Sequence, residues 1–262
     1  MNLVLEFFAG AGGASLGVHR ALPDATVVGV EWWDRAVATR SAAGLLTVRA
    51  DATTFPVAHL RGRLAGHWSS PSCRMWSVGG HGSGRDAVAL FGRAMIDLCR
   101  GVDRRVEVRA SAARALAHVV AARWRKRDPD RSFGADELRT TARAEAFDAA
   151  LVLEPARVAF EGRPRWIVCE QVPDVAPVWR ALAHGLSTNL GYSTWVGVLD
   201  AADFGVPQHR RRAILMASLD RAVQPPEPTH VPRGDARLAG RDLFGGRVER
   251  HVSMADALGW GM

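Results

Sequence analysis

The chain has 262 residues, 48% of them hydrophobic, and a formal net charge of +7. That length supports one large core, or one core with an appendage, and no apolar run reaches the roughly 18 residues that a membrane-spanning helix needs. Its three cysteines, Cys73, Cys99 and Cys169, show no CxxC pairing and no histidine at metal-ligand spacing, which argues for a reduced, cytosolic protein and against a metal site.

Leu3 to Phe8 is a short apolar run interrupted by Glu6 and closed by a glycine cluster, Gly10, Gly12 and Gly13. With no basic region before it, the run reads as a buried strand rather than a signal peptide. Ala14 to Leu22 reads as a helix stopped by Pro23, and Val27 to Val30 as a second buried strand ending at Glu31. A helix from Asp34 to about Ala43 and a strand from Thr47 to Ala50, ending at Asp51, complete the pattern. Strand, glycine turn, helix, strand is the signature of a parallel sheet covered by helices on both faces. Further along, His67 to Ser70 leads into Pro71-Ser72-Cys73, followed by a glycine-rich stretch, Gly79 to Gly84, that is a plausible mobile lid. Helices are expected over Ala87–Leu98, Val106–Trp124 and Ala135–Ala159, the last interrupted near Pro155. Trp166–Cys169, Tyr192–Leu199 and Ala213–Ala217 read as strands, and Val178–Leu190 as a helix. The fold class is therefore α/β, a doubly wound Rossmann-like sheet with a helical insertion at about 100–160. A main domain over 1–222 is followed by a proline-rich linker region over 223–262.

The positive charge is localised. Between Arg100 and Arg127 nine Arg/Lys face two acids, a surplus that equals the net charge of the whole chain. Such a patch favours a polyanionic partner, with Arg123, Arg125 and Lys126 as candidate nucleic-acid contacts; a solvated helix face is the alternative.

A glycine turn directly after a strand lets backbone approach a ligand at a helix N-terminus, though any doubly wound protein can show one. The acids Glu6, Glu31 and Asp51 at successive strand ends sharpen it, because such positions open onto the crevice where these sheets bind ligands. Glu31 suits ribose hydroxyls and Asp51 an adenine amino group.

Phe8-Ala9-Gly10-Ala11-Gly12-Gly13-Ala14-Ser15-Leu16-Gly17 resembles the cofactor motif of the cytosine-C5 DNA methyltransferase family. Later segments come in that family's order: Glu31-Trp32, Asp51, Pro71-Ser72-Cys73-Arg74-Met75-Trp76-Ser77, Glu170-Gln171-Val172, and Gly205-Val206-Pro207-Gln208-His209-Arg210-Arg211-Arg212. The resemblance covers residues 3 to about 219. It implies a sheet of the kind that binds S-adenosylmethionine, and methyl transfer from that cofactor to C5 of cytosine in DNA through a covalent adduct of Cys73, leaving S-adenosylhomocysteine. Cofactor binding falls to Glu6, Phe8, Gly10, Gly12, Gly13, Glu31, Trp32 and Asp51. Glu170 serves cytosine N3, Arg212 its O2, and Arg210 the loop or a phosphate, while Arg74, Ser77 and Gln208 meet the nucleic acid. Cys99 and Cys169, in apolar runs, read as structural. A bacterial or phage cytosol is implied, and restriction–modification, phage and regulatory roles all fit. An RNA cytosine-C5 methyltransferase and a catalytically silent nucleic-acid-binding or partner subunit are the competing readings.

The chain departs from the family pattern at Ser72, Arg74 and Gln171, where the family has proline, glutamine and asparagine. Gln171 is expected to brace the nucleophile loop through Ser72. The expected target-recognition region and final cofactor motif do not appear after Pro228. A second chain supplying them, or truncation, is favoured over partial replacement by the basic insertion.

Overall fold

The computed structural model describes residues 2–77, 87–130, 132–239 and 248–260. The expected lid, Gly79 to Gly84, lies outside the described residues. The first half alternates as the sequence predicts: β1 (Leu3–Phe7), α1 (Gly13–Ala21), β2 (Thr26–Glu31), α2 (Asp34–Ala42), β3 (Thr47–Arg49) and β4 (Leu64–Ser69). Four helices come next, α3 (Val88–Cys99), α4 (Arg105–Arg127), α5 (Ala135–Ala149) and α6 (Glu154–Gly162). The sheet resumes with β5 (Trp166–Gln171), α7 (Ala176–Leu190), β6 (Ser193–Asp200) and β7 (Arg211–Ser218).

The seven strands lie in the order β3-β2-β1-β4-β5-β7-β6. Neighbours from β3 through β5 pair in parallel, whereas β7 runs antiparallel to both β5 and β6. One reversed strand within an otherwise parallel sheet departs from the purely parallel pattern suggested by the alternation. The doubly wound α/β class itself stands.

Side chains alternate across a strand, and β1 splits its residues between two faces accordingly. Val4 packs with Val18, Ala25 and Val27 beneath α1, while Leu5 and Phe7 join Val30, Val57, Leu64 and Val158 on the α6 face. On the α3–α7 side a larger core gathers Trp76, Phe91, Met95, Leu116, Leu153, Trp179 and Leu182, all fully buried. Full burial of each such side chain contributes about 1.5–3 kcal/mol. Helix α4 buries Val108, Ala112, Leu116 and Val120, four residues apart, so one stripe faces inward. Its inner residues join the main core, so the expected insertion packs as part of this body.

The proline-rich segment leads into a pair of two-residue strands, β8 (His230–Val231) and β9 (Glu249–Arg250), before a short helix, α8 (Met254–Leu258). These strands dock on the β6–β7 connection. Thr229 N–H donates to the Asp203 carbonyl at 2.9 Å, and His251 Nε2 lies 3.0 Å from the Asp203 carboxylate. Gly205, at φ +83°, lies against the His230 ring, so a Cβ there would come within 2.8 Å of it.

Candidate active site

A cleft of about 570 Å³ opens at the carboxyl ends of the parallel strands. Its walls include Phe8, Glu31, Trp32 and Asp51 from the strand ends, and Ser70, Ser72 and Arg74 from the loop after β4. Four of the residues expected to hold a cofactor therefore meet in one cavity. Phe147, Asp148 and Leu151, from the end of α5 and the turn after it, close the other side. No motif marked these three; an aromatic set among alanines was the single hint.

Glu31 holds the glycine turn. Its Oε2 accepts from Gly10 N–H at 2.8 Å, and its Oε1 accepts from the N–H groups of Trp32 and Trp33 at 2.9 Å. A carboxylate has about four acceptor directions, so capacity remains for a further hydroxyl. Gly10, Gly12 and Gly13 do not line the cleft; they shape the turn that Glu31 ties down. Gly12, at φ +103°, lies so close to Leu45 that a Cβ would come within 2.2 Å of its side chain. Asp51 accepts from Thr53 N–H at 2.8 Å through Oδ1. Trp32 is 72% exposed at the rim, with Trp33 beside it 57% exposed.

Glu6 is a correction. Instead of facing the crevice it lies on the α1–α2 face of β1, as alternation dictates for a neighbour of Leu5 and Phe7. There it accepts from the Ser15 hydroxyl and pairs with Arg40 Nη1 at 3.3 Å. Burial pushes its carboxyl above the usual range, opposed by Ser15 and Arg40. Arg40, itself buried, also donates to the Ala9 carbonyl at 3.1 Å, so this ion pair supports the glycine turn from beneath.

Cys73 is exposed, whereas Cys99 and Cys169 are buried. Burial pushes the Cys99 thiol up to about 12, and Cys169 also upward, which leaves both unreactive at neutral pH. The residues on either side of Cys73, Ser72 and Arg74, both line the cleft. The Cys73 carbonyl accepts from the N–H groups of Trp76 and Ser77, which start a tight turn anchored by the buried side chains of Met75 and Trp76.

The brace from Gln171 exists, by a different contact. Gln171 Nε2 donates to the Pro71 carbonyl at 2.7 Å, and its Oε1 accepts from Val172 N–H at 2.7 Å. Ser72, expected to receive it, donates instead to Asp148 Oδ2 at 3.3 Å. Arg74 Nε lies 3.6 Å from the same oxygen, so its charge is shared with an acid rather than devoted to the thiol.

Because β4 and β5 pair directly, the Cys73 loop leaves the sheet beside the end of β5. There Glu170 and Arg212 form an ion pair at 2.7 Å, each about one-quarter exposed. Reversal of β7 brings Arg212, near its start, to the edge where β5 ends. Arg210 is exposed, with its backbone N–H on Asp200, and His209 Nδ1 lies 3.0 Å from the other Asp200 oxygen. Gln208 is also exposed.

Three arginines of the basic segment, Arg105, Arg109 and Arg123, are committed to buried acids. Glu154, with no exposed side-chain surface, is met by Arg105 and Arg157 at 2.8 Å and by Arg109 at 3.4 Å. Arg105 and Arg157 also donate to the carbonyls of Thr53, Ala52 and Phe55, in the loop after Asp51. Arg123, expected at a nucleic acid, is bound to the buried Glu145. Arg125 and Lys126 remain exposed, with Arg125 over the Phe133 ring at 5.4 Å.

Residues 140–249 match the family model described as C-5 cytosine-specific DNA methylase. Type II methyltransferase M.AquIA from Picosynechococcus is 35% identical over 121 residues, covering 41% of this chain and 48% of that protein. Type II methyltransferase M.AgeI from Thalassovita gelatinovora is 49% identical over 43 residues, covering 16% of this chain and 10% of its own length. The solved S. pombe Dnmt2 methyltransferase aligns at TM-score 0.49 with 17% identity, covering 86% of this chain and 53% of that one. The chain thus spans about half the length, or less, of the relatives it matches. Among the described residues no helix is long and apolar enough to cross a membrane. The family match falls on the segment that carries Glu170, Gln171 and Arg212, and over that segment the chain is similar to the C-5 cytosine-specific DNA methylases.

Proposed function

We propose that this chain transfers a methyl group from S-adenosylmethionine to C5 of cytosine in DNA, with Cys73 as nucleophile. The observation that carries this reading is the position of Cys73. It is the exposed thiol among three, and it lies between two residues that line a cleft shared with Glu31, Trp32 and Asp51. The cleft suits the cofactor chemically. Glu31 and Asp51 offer carboxylate acceptors for ribose hydroxyls and an amino group, and Phe8 and Trp32 offer aromatic surface to the purine. When bound, the cofactor supplies an electrophilic methyl group.

Cytosine C5 is a weak nucleophile until C6 is attacked. Cys73 forms the bond to C6, Glu170 serves N3 by proton or hydrogen bond, and Arg212 meets O2 as charge builds there. C5 then takes the methyl group, its proton leaves to a base, and the Cys73 thiolate is expelled. Gln171, through Pro71, holds the loop in place for attack. The target base leaves the stack to reach this site, at a cost of about a few kcal/mol that the pocket offsets. Arg210, Ser77 and Gln208 meet the strand in this scheme.

A covalent trap tests it. With cofactor and an oligonucleotide containing 5-fluorocytosine, the chain should form an adduct that disappears in Cys73→Ser. Adduct only with RNA would shift the substrate, and none with either polymer would favour the silent-subunit reading. A second chain that supplies target recognition belongs to the same proposal. It is supported by the neighbouring Trp33, whose apolar surface stands open at the cleft rim, and is tested by copurification from the native host.

A further inference from the structure

Helices α4 and α5 enclose a second groove, of about 630 Å³, on the far side of Phe147 from the cofactor cleft. Its floor is small, Ala110, Ala113 and Ala117, and its walls carry Arg109, Arg114, Arg139 and Arg143. Phe147 lines both cavities, with the Arg109 guanidinium over its ring at 4.6 Å. From the rise of an α-helix, the floor from Arg109 to Ala117 runs for about 12 Å.

We propose that this groove holds the phosphodiester backbone of the substrate next to the extruded cytosine. The inference rests on the nucleic-acid function proposed for the cleft and says where the strand lies. Charge is its basis. Among the described residues no acid lies within ion-pair distance of Arg114 or Arg143; Arg114 donates only to the neighbouring Ser111 hydroxyl, at 3.0 Å. Arg139 pairs with Asp136, the acid at the rim, but both side chains are mostly exposed, and such a pair yields readily to a phosphate. Arg109 differs, being held on one side by the buried Glu154 and so fixed in place at the partition. A single strand of duplex places one phosphate per about 3.4 Å of axis, so a floor of this length spans about three of them. The alanine floor leaves room for a chain of sugars and phosphates where longer side chains would fill the groove. S-adenosylmethionine has no phosphate and a net positive charge, its sulfonium and ammonium outweighing one carboxylate, so a groove walled by arginines does not favour it. The polyanion contact expected at Arg123 thus moves along the helices to a place open to solvent and adjoining the reactive cleft.

The test is binding of fluorescently labelled duplex DNA, single-stranded DNA and single-stranded RNA by wild type and by the Arg114→Ala/Arg143→Ala double variant. Both residues are exposed, and unchanged calorimetric binding of S-adenosylmethionine would report an intact fold. The double variant should bind the preferred polymer about tenfold more weakly near 100 mM salt, and its log–log salt slope should flatten by about two. Unchanged affinity and slope in the double variant, with a normal Cys73 adduct, would overturn the groove and leave methyl transfer standing. Binding that depends on both arginines without any adduct would do the reverse. A wild type that binds none of the polymers, or that binds poly-glutamate equally well through the same arginines, also overturns the proposal.

Discussion

The two halves of the cleft are built differently. The half formed by the glycine turn, Glu31 and Asp51 rests on two buried charge clusters, Glu6–Arg40–Ser15 under the turn and Glu154–Arg105–Arg157 behind the loop after β3. The half with Cys73, Glu170 and Arg212 is held by contacts at or near the surface, apart from one buried hydrogen bond from Gln171. Buried, fully partnered polar groups hold one geometry because leaving any of them unpaired is expensive. Exposed pairs can exchange partners at little cost. Under the proposed function, a small cofactor would be met by a preformed wall, and a base arriving from a polymer by groups able to change partners.

That contrast can be broken most severely at Glu154. Glu154→Ala takes the shared carboxylate from three arginines, of which Arg105 keeps Asp103 and Arg157 keeps Glu161, and should cost about 3 kcal/mol of stability by urea unfolding. S-adenosylmethionine affinity should fall with it, since the loop after Asp51 loses its anchor. A change under about 1 kcal/mol would mean the cluster does not stiffen that wall.

An effect of similar size but opposite origin concerns His67, buried on β4 with Nδ1 2.8 Å from the Leu5 carbonyl and its ring against Phe7. Burial lowers its pKa from 6.5 to about 4. Between those values the unfolded chain binds a proton that the folded chain refuses. The stability that goes with a neutral imidazole is therefore whole above about 6.5 and declines as pH falls toward 4. The loss should reach about 3 kcal/mol, and His67→Phe should remove that part of the acid-side slope. Unfolding curves for both proteins across that range decide it, and parallel curves would discount the histidine.

The smallest effect sharpens the reactive half. Gln171→Ala loses one buried hydrogen bond, worth about 1 kcal/mol. Turnover should fall by about tenfold while cofactor affinity holds. Equal loss in both would mean that Gln171 supports the whole cleft rather than the cysteine loop.

The glycine turn and the strands around it are readable because each apolar run ends at an acid and a turn, all within about 50 residues. Cys73 is distinguishable from Cys99 and Cys169 because it alone sits outside an apolar run. Glu6 misleads for a reason visible in its neighbours. It shares Glu31's face of the sheet, but it pairs with Gly29, two rungs before Glu31, so it lies beneath the glycine turn where Ser15 and Arg40 cover it. The basic segment misleads for a different reason: Arg105 finds Glu154 49 residues away, and Arg123 finds Glu145 across a helical hairpin. Local charge counts register the arginines and miss the acids that tertiary packing delivers to them. The exchange of Ser72 for Pro71 as the partner of Gln171 belongs to the same class, since side-chain reach cannot be read from spacing.

The reversal of β7 has a consequence for how such a protein can diversify. Because that strand enters the sheet at the end where its neighbours leave, the β6–β7 connection and the small strand pair docked on it gather at the same rim as the cysteine loop. Insertions there can reshape that rim without disturbing a single rung of the ladder, so under the proposed function new specificities can be grafted onto an unchanged chassis.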